Sequence, residues 1–297
     1  MAEKPKADIA TDLALVRRLL EAQHPDLAML PLELVNAGWD NEIFRLGRDL
    51  AVRIPRREAA AHLIEHEQQW LPVLAGNLTT AVPVPYRIGV PSDAFPWPWS
   101  VVPWLSGRPA SAASRAERRW IAEDLATFFL QLHRPASPDA PANPVRGVPL
   151  VHRRADVVAR LDELANNSIH RRAELRALWD RAVNAAPYRD EPLWLHGDPH
   201  PANLLVSESR LSAVIDFGDL TAGDPATDLA AAWLVFDAEG RAIFRGAIEA
   251  GRTVDAATWL RARGWALVIG TALAISSDGD AVFAAMGRNT LDAVLDD

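Results

Sequence analysis

The chain changes its residue pattern at Ser106-Gly-Arg-Pro109. Before this point, short β-like segments are separated by turns rich in glycine and proline. After it, apolar residues recur at helical spacing over long segments. A chain of 297 residues can bury the core of one large domain or of two lobes. We therefore predict an α+β protein with two lobes, a small antiparallel β-rich lobe (residues 1–105) and a larger, mainly helical lobe (residues 106–297).

The first lobe is expected to contain an N-terminal helix, five strands and one inserted helix. The N-terminal helix covers residues 8–23, and the inserted helix covers residues 57–74. The five strands cover residues 32–36, 42–46, 50–54, 82–90 and 97–105. In the second lobe, helices are predicted over 114–133, 154–165, 171–186 and from 224 onward. The stretch 135–149, rich in Pro, Ala and Ser, is predicted to be an exposed linker.

Composition excludes several classes of protein. The chain has no cysteine, which excludes disulfide frameworks, thiolate metal sites and cysteine nucleophiles. Its net charge is −8 without a basic run, so we expect no nucleic-acid partner, and a cationic small substrate would suit this charge. The apolar run Trp265–Ile275 is too short to cross a bilayer core of about 30 Å. With no signal sequence at the N-terminus, we expect a cytoplasmic protein without membrane contact, and the oligomeric state stays open.

Two short motifs in the second lobe have the spacing of a phosphoryl-transfer site. His196-Gly-Asp-Pro-His-Pro-Ala-Asn203 is followed by an apolar run and then by Asp216-Phe-Gly218. Protein kinases use the pattern His-x-Asp-x-x-x-x-Asn and then Asp-Phe-Gly, and here Gly197 takes the place of the usual Arg. Each half alone is common by chance, but both halves in this order form a specific signal.

The residue types suit that chemistry. Phosphoryl transfer requires that the phosphates are held, that Mg²⁺ neutralises their charge, and that the acceptor oxygen lies in line. Mg²⁺ prefers oxygen ligands, so Asn203 and Asp216 are predicted to bind it. Asp198 is predicted to face the acceptor hydroxyl and to take its proton late in the transfer. His196 is predicted to be a buried imidazole that braces the loop.

Each of these residues also has a purely structural interpretation. Asp198 fits a turn, Asn203 fits a cap, and Asp216 fits a strand end. The joint occurrence of the three residues with His196 favours the phosphoryl-transfer interpretation.

The chain resembles the aminoglycoside phosphotransferase family, small-molecule kinases with a two-lobed protein-kinase-like fold. The segments that carry this resemblance are Gly38-Trp-Asp-Asn41, Ala51-Val-Arg-Ile-Pro55, Pro96-Trp-Pro-Trp-Ser100, His196–Asn203, Ile215-Asp-Phe-Gly-Asp219 and Gly223-Asp-Pro-Ala-Thr-Asp228. The resemblance implies Mg²⁺-dependent transfer of the γ-phosphoryl group of ATP or GTP to a hydroxyl of a small molecule. The segments identify the reaction better than the substrate.

The resemblance also implies roles in nucleotide binding. The turn that contains Gly38 and Asn41 would cover the phosphates, although an ordinary hairpin turn explains it equally well. Arg53 takes the place of the usual lysine on the third strand, and its planar fork can also bind phosphate. Glu67 would be the ion-pair partner of Arg53, with Glu65 as the competitor.

Two further segments receive roles from the resemblance. The backbone groups of Val101 and Val102 would meet the adenine edge where the lobes join, or else this segment is an edge strand that stops at Pro103. Asp228 would brace the backbone of the loop that carries the chemistry. Asp219 would line the site or face solvent.

Three functions stay open on this basis. An aminoglycoside-type acceptor is the leading hypothesis, because such amino sugars are cationic and rich in hydroxyls. The second is a macrolide or other metabolite kinase of the same fold. Clustered carboxylates in the substrate pocket would favour an aminoglycoside, and an apolar, aromatic pocket would favour a macrolide or other neutral ligand. The acidic residues considered for such a cluster are Asp237, Glu239, Asp278 and Asp280.

The third possibility is a nucleotide-binding pseudokinase. Its only support is Arg53 in the place of lysine. The intact Asp198, Asn203 and Asp216 argue against it, because degenerate kinases typically lose one of these side chains.

Overall fold

The structure is a computed structural model that describes residues 6–38, 40–166, 171–275 and 280–296. The chain forms two compact units. Of the described residues, the N-terminal unit comprises 6–106 together with Ala213–Gly218, and the C-terminal unit comprises Gly107–Ser212 and those from Asp219 onward. The sequence pattern placed residues 213–218 in the second lobe. In the structure this segment joins the N-terminal unit, where the N–H of Val214 donates to the carbonyl of Ala81 (3.0 Å).

A five-stranded sheet forms the centre of the N-terminal unit. Its strands are β1 Leu32–Ala37, β2 Asn41–Leu46, β3 Leu50–Pro55, β4 Arg87–Gly89 and β5 Trp99–Pro103. They lie in the order β1-β2-β3-β5-β4, and every pairing is antiparallel. The expected antiparallel sheet is thus confirmed. The strand predicted over 82–90 is only three residues long, because Pro83 and Pro85 have no N–H to donate to a ladder.

Two helices accompany this sheet. α1 Leu13–Gln23 begins after Asp12, whose side chain accepts the N–H of Leu15 (2.7 Å). α2 Glu58–Ala75 is inserted between β3 and β4 and contacts β3 and β5. Its buried side chains recur at helical spacing and are Ala60, Ile64, Glu67, Leu71 and Leu74. Glu67 therefore places a carboxylate on a face that otherwise buries apolar side chains.

Helices dominate the C-terminal unit, as predicted. They are α3 Ala122–Leu132, α4 Arg154–Asn166, α5 Arg172–Val183, α6 Ala226–Leu229, α7 Ala231–Leu234, α8 Ala238–Gly251, α9 Ala256–Ile275 and α10 Ala281–Ala293. α9 contacts α4, α5, α6, α7 and α10, which explains why apolar residues occur all around it. Within the described ranges, no helix has both the length and the apolar character needed to cross a membrane.

Short strands position the loops that carry the motifs. These strands are β6 Arg108–Pro109, β7 Leu193–Leu195, β8 Leu204–Ser207, β9 Arg210–Val214 and β10 Thr221–Gly223. β7 pairs with β10, and β6, β8 and β9 form a three-stranded sheet in that order. Asp198 therefore follows β7, Asn203 directly precedes β8, and Asp216 follows β9.

The stretch 135–149 is not the exposed linker that its composition predicted. Pro141 is buried, and its carbonyl accepts the hydroxyl of Thr221 (2.8 Å). A Cβ atom on Gly223 would lie 2.3 Å from the carbonyl oxygen of Gly147, so the two backbones are in direct contact. The composition of residues 135–149 shows that the stretch has no helical pattern. It does not show the backbone contact that orders the stretch.

Candidate phosphoryl-transfer site

The loop after β7 holds the carboxylate of Asp198 between donors. Nη2 of Arg146 lies 3.3 Å from Oδ1 of Asp198, and Nε2 of His200 lies 3.2 Å from Oδ2. The N–H of Asp198 donates to Nδ1 of His196 (3.2 Å). Burial by itself would raise the pKa of Asp198, but His200, Arg146 and His196 hold that pKa well below its usual range. Asp198 is therefore an ionised carboxylate that can accept a hydrogen bond from a hydroxyl.

Asp228 anchors the backbone of this loop. Its carboxylate is fully buried and accepts the N–H groups of His196 (2.8 Å) and Gly197 (2.8 Å). Nε2 of His133 lies 3.0 Å from the same carboxylate. Burial lowers the pKa of His133 despite the nearby Asp228, so His133 is neutral and its Nε2–H donates. Asp228 thus bonds the backbone N–H groups of two consecutive residues of the loop.

The structure explains why glycine stands at position 197, where protein kinases usually have Arg. Its φ angle is +90°, a left-handed conformation that favours glycine. A Cβ atom at this position would lie 2.5 Å from the carbonyl oxygen of Asp219. The loop therefore leaves no room for a side chain between His196 and Asp198.

We expect Gly197→Ala to lower the free energy of unfolding by about 1–3 kcal/mol, because both the backbone conformation and the Cβ contact are unfavourable. Urea denaturation measures this change. Gly246→Ala in α8 is the matched control, since a Cβ atom there meets nothing within 4 Å. The control should be neutral or stabilising by up to about 1 kcal/mol. Equal effects of the two substitutions would contradict the steric explanation.

Asn203 ends the same loop in a buried turn, Pro201–Asn203. Its Nδ2 donates to the backbone carbonyl of Asp198 (3.0 Å) and lies 3.5 Å from Oδ2 of Asp198. The amide nitrogen is thus directed at Asp198. The other end of the amide is an oxygen, the type of donor that Mg²⁺ prefers.

A second cluster, in the N-terminal unit, contains Arg53, Glu67 and Asp216. Nη1 of Arg53 lies 2.5 Å from Oε2 of Glu67, and its Nη2 lies 3.7 Å from Oδ1 of Asp216. Burial acts to lower the pKa of Arg53, but Glu67 and Asp216 raise it above the usual value. Burial raises the pKa of Glu67, while Arg53 opposes that rise. Glu67, and not its competitor Glu65, is the carboxylate that contacts Arg53.

Asp216 combines an unusual backbone conformation with an accessible side chain. Its φ angle is +65°, in the left-handed region that aspartate tolerates better than most residues. Its side chain is 57% exposed, so the carboxylate is open to a ligand. The following residue, Phe217, is buried and its N–H donates to Glu67. The Asp-Phe-Gly segment is thereby tied to the Arg53–Glu67 pair.

The turn between β1 and β2 is closed by backbone bonds. The N–H of Gly38 donates to the carbonyl of Asn41 (2.8 Å), and Nη1 of Arg56 donates to the carbonyl of Gly38 (3.0 Å). The side-chain oxygen of Asn41 is buried and has no hydrogen-bond partner among the described residues. The first two contacts suit an ordinary hairpin turn, so a phosphate-covering role still rests on the resemblance. Trp39 lies outside the described residues.

Val101 and Val102 lie inside the sheet, opposite Val52 and Ala51. β5 is an inner strand, so the edge-strand interpretation of this segment is wrong. The carbonyl of Val101 accepts the N–H of Tyr86 (2.8 Å), and the contact of the Val101 and Val102 backbone with the adenine edge stays a prediction. β5 pairs antiparallel with β3 on one side and with β4 on the other, so backbone groups on both of its edges take part in the ladders. The sequence did not show which strands would be the neighbours of β5.

The sequence model of the phosphotransferase enzyme family, abbreviated APH, matches residues 31–265. The chain belongs to this family. No match was found among proteins of curated function.

Solved structures similar to this phosphotransferase include enzymes that act on two types of antibiotic. The GDP complex of aminoglycoside 2′-phosphotransferase-IIIa has a TM-score of 0.67 and 19% identity, with 96% of this chain and 99% of that chain covered. The gentamicin complex of APH(2″)-IIa has a TM-score of 0.62, 18% identity, and 97% and 99% coverage. Macrolide 2′-phosphotransferase MphH from Brachybacterium faecium has a TM-score of 0.61, 20% identity, and 95% and 98% coverage. Structural similarity at this level of sequence identity shows only the fold, which is two-lobed and protein-kinase-like.

The donors of the phosphotransferase fit Mg²⁺ by their chemistry. In the part of the chain that the structure describes, no group of three or more His, Cys, Asp or Glu side chains is placed to hold a metal ion. Mg²⁺ in phosphoryl-transfer sites needs fewer protein ligands, because waters and substrate phosphates complete its coordination. The amide oxygen of Asn203 and the exposed carboxylate of Asp216 are oxygen donors of the required kind.

Sequence reasoning missed three residues around Asp198. Arg146 contacts both Asp198 and Asp219, and Nδ2 of Asn143 donates to Asp219 (2.8 Å). His200 lies within the motif, but its spacing alone did not assign it a role. Arg146 and Asn143 belong to the stretch that was predicted to be a linker, where no periodic pattern or motif marks them.

Proposed function

We propose that this phosphotransferase transfers the γ-phosphoryl group of ATP or GTP to a hydroxyl group of a small molecule. The observation that carries the proposal is the ionised carboxylate of Asp198, held by Arg146 and His200 beside the amide of Asn203. Solved structures of similar fold were obtained with GDP and, in a ternary complex with streptomycin, with ATP. Both nucleotides therefore remain candidates for this chain.

In the proposed reaction, Asp198 orients the acceptor hydroxyl. The hydroxyl oxygen forms a bond to the γ-phosphorus, the bond from that phosphorus to the β–γ bridging oxygen breaks, and the nucleoside diphosphate leaves with that electron pair. The hydroxyl proton passes to Asp198 late in the step. A carboxylate with a lowered pKa is a weak base, and a loose transition state needs little base strength. Orientation is therefore the main contribution of Asp198.

The remaining residues hold the nucleotide. Arg53, fixed by Glu67, binds the α- and β-phosphates, and the turn with Gly38 and Asn41 covers them. Asn203 and Asp216 would hold Mg²⁺, which would neutralise phosphate charge when bound. The buried Arg53–Glu67 pair supports a working kinase rather than a pseudokinase, because arginine in the place of lysine keeps the expected ion pair.

An aminoglycoside-type acceptor is our first candidate. The net charge of −8 suits a cationic ligand, and APH(2″)-IIa, of similar fold, was solved with gentamicin. Phosphorylation of such an antibiotic would add charge and bulk to it and so confer resistance.

One observation favours the second candidate, a macrolide or other less cationic acceptor. The acids considered for a polycation are already engaged: Asp237 and Glu239 both pair with Arg119. Asp280 caps α10 by accepting the N–H of Val282 (2.8 Å). Asp278 lies outside the described residues. The described members of this set therefore do not form a cluster of free carboxylates.

A panel assay tests the proposal. The protein is incubated with Mg²⁺ and ATP or GTP, with gentamicin, with a macrolide, or without acceptor, and phosphorylated product is measured by mass spectrometry. We expect a phosphorylated aminoglycoside, whereas a macrolide product alone would select the second candidate. Thermal stabilisation by nucleotide with no nucleotide hydrolysis, whether or not an antibiotic is present, would contradict both and indicate a pseudokinase.

A further inference from the structure

Arg146 links two carboxylates of the C-terminal unit, those of Asp198 and Asp219, which lie in two different motifs of the sequence. Its Nη2 lies 3.3 Å from Oδ1 of Asp198 and 3.1 Å from Oδ2 of Asp219. Burial acts to lower the pKa of Arg146, but Asp219 and Asp198 raise it above the usual value. Arg146 is therefore a permanent cation between the proposed proton acceptor and a second acid.

The backbone around Arg146 is built to hold it there. Oδ1 of Asn143 accepts the N–H groups of Val145 (2.9 Å) and Arg146 (3.1 Å), which fixes the turn before the arginine. Nδ2 of the same asparagine donates to Oδ1 of Asp219 (2.8 Å). Immediately after Arg146, Gly147 has a φ angle of +68° and its carbonyl accepts the N–H of Asp224 (3.3 Å). Both flanks of Arg146 are thus attached to the segment that carries Asp219.

We propose that Arg146 is a positioning residue for phosphoryl transfer, which holds the carboxylate of Asp198 in the orientation that receives the acceptor hydroxyl. Asp219 fixes the guanidinium from the other side. This inference rests on the proposed function. A rotation of the Asp198 carboxylate would misplace the hydroxyl relative to the γ-phosphorus, and misplacement by about 1 Å can lower a rate about 100-fold.

Kinetics of four variants test this role. Arg146→Gln is expected to lower kcat about 100-fold with the KM for nucleotide little changed, because Arg146 positions the acceptor side of the reaction. Arg146→Lys keeps the charge and should recover part of the loss. Asp219→Asn should lower kcat less than Arg146→Gln. The double variant Arg146→Gln/Asp219→Asn should be no slower than Arg146→Gln, because coupled residues are not additive.

Arg119→Gln is the matched control. Arg119 also joins two carboxylates, those of Asp237 and Glu239, but it has no contact with the Asp198 loop among the bonds of the described residues. Its kcat should equal that of the wild type. If Arg146 served only to stabilise the fold, Arg146→Gln would lower the melting temperature without changing kcat per folded molecule. That result, or a fully additive double variant, would overturn the proposal.

Crystal structures test the same role without turnover and so separate it from the proposed function. In Arg146→Gln the Asp198 carboxylate should leave its place beside His200, while in Arg119→Gln it should stay. An unchanged Asp198 rotamer in both variants would overturn the positioning role. Absence of turnover by the wild type with every acceptor would instead contradict the proposed function.

Discussion

Asp198→Asn is expected to lower kcat by about 10²–10⁴-fold, the usual contribution of a positioned acid or base. The amide keeps the shape of the side chain but removes the charge that accepts the hydroxyl proton. Arg146 keeps its second carboxylate partner, Asp219, so the fold should survive the change. The measurement is kcat for the best acceptor of the panel, with the free energy of unfolding from urea denaturation measured on the same preparation.

Asp124→Asn is the matched control for this experiment. Its side chain is 17% exposed, close to the 23% of Asp198, and it also bonds an arginine, Arg210 (2.6 Å). Asp124 further accepts the N–H of Leu211 (3.0 Å), so it is a comparable partly buried acid in the same unit. Its kcat should stay at the wild-type value. Retention of most of the activity by Asp198→Asn would contradict the role of Asp198.

Asp228→Ala is expected to lower the free energy of unfolding by about 3–5 kcal/mol. The substitution leaves three buried donors without their acceptor, which are the N–H groups of His196 and Gly197 and the Nε2–H of His133. Each unsatisfied donor costs about 1–3 kcal/mol, and relaxation of the loop reduces the sum. Because the same bonds hold the loop that carries Asp198, kcat should fall as well. Urea denaturation and steady-state kinetics measure the two effects.

Glu174→Ala provides the comparison for the stability measurement. Glu174 pairs with Arg171 (2.9 Å), and both side chains are exposed, 57% for Glu174 and 38% for Arg171. An exposed ion pair contributes about 0–1 kcal/mol, so this variant should be close to the wild type. If Asp228→Ala destabilised the protein no more than Glu174→Ala does, the carboxylate of Asp228 would not be the anchor of the loop.

Local patterns predicted the parts of the fold that depend on local chemistry. The β-like segments bounded by turn-forming residues predicted β1 to β3, and the segment after Pro55 predicted α2. In the structure, Glu67 lies on the buried face of α2, which explains why it, rather than Glu65, contacts Arg53. The motif spacing likewise located Asp198 and Asn203 on one loop.

Contacts between distant segments were not visible in the sequence. Arg146 lies in a proline-rich stretch, and it approaches Asp198 because Gly147 and Gly223 allow two backbones to touch. The segment around Val101 was considered as an edge strand because the sequence does not show that β4 pairs with β5 on its far side. In both cases the deciding interaction joins residues far apart in sequence, and no local periodicity reports on it.

A crystal structure with Mg²⁺ and a non-hydrolysable analogue of ATP or GTP tests the central claim most directly. We expect the amide oxygen of Asn203 and the carboxylate of Asp216 on the same ion, and Arg53 on the α- or β-phosphate. The carboxylate of Asp198 should be free of the metal and open to an acceptor beside the γ-phosphate. Mg²⁺ bound by Asp198 instead, or a nucleotide bound without contact to Asn203 and Asp216, would contradict the account.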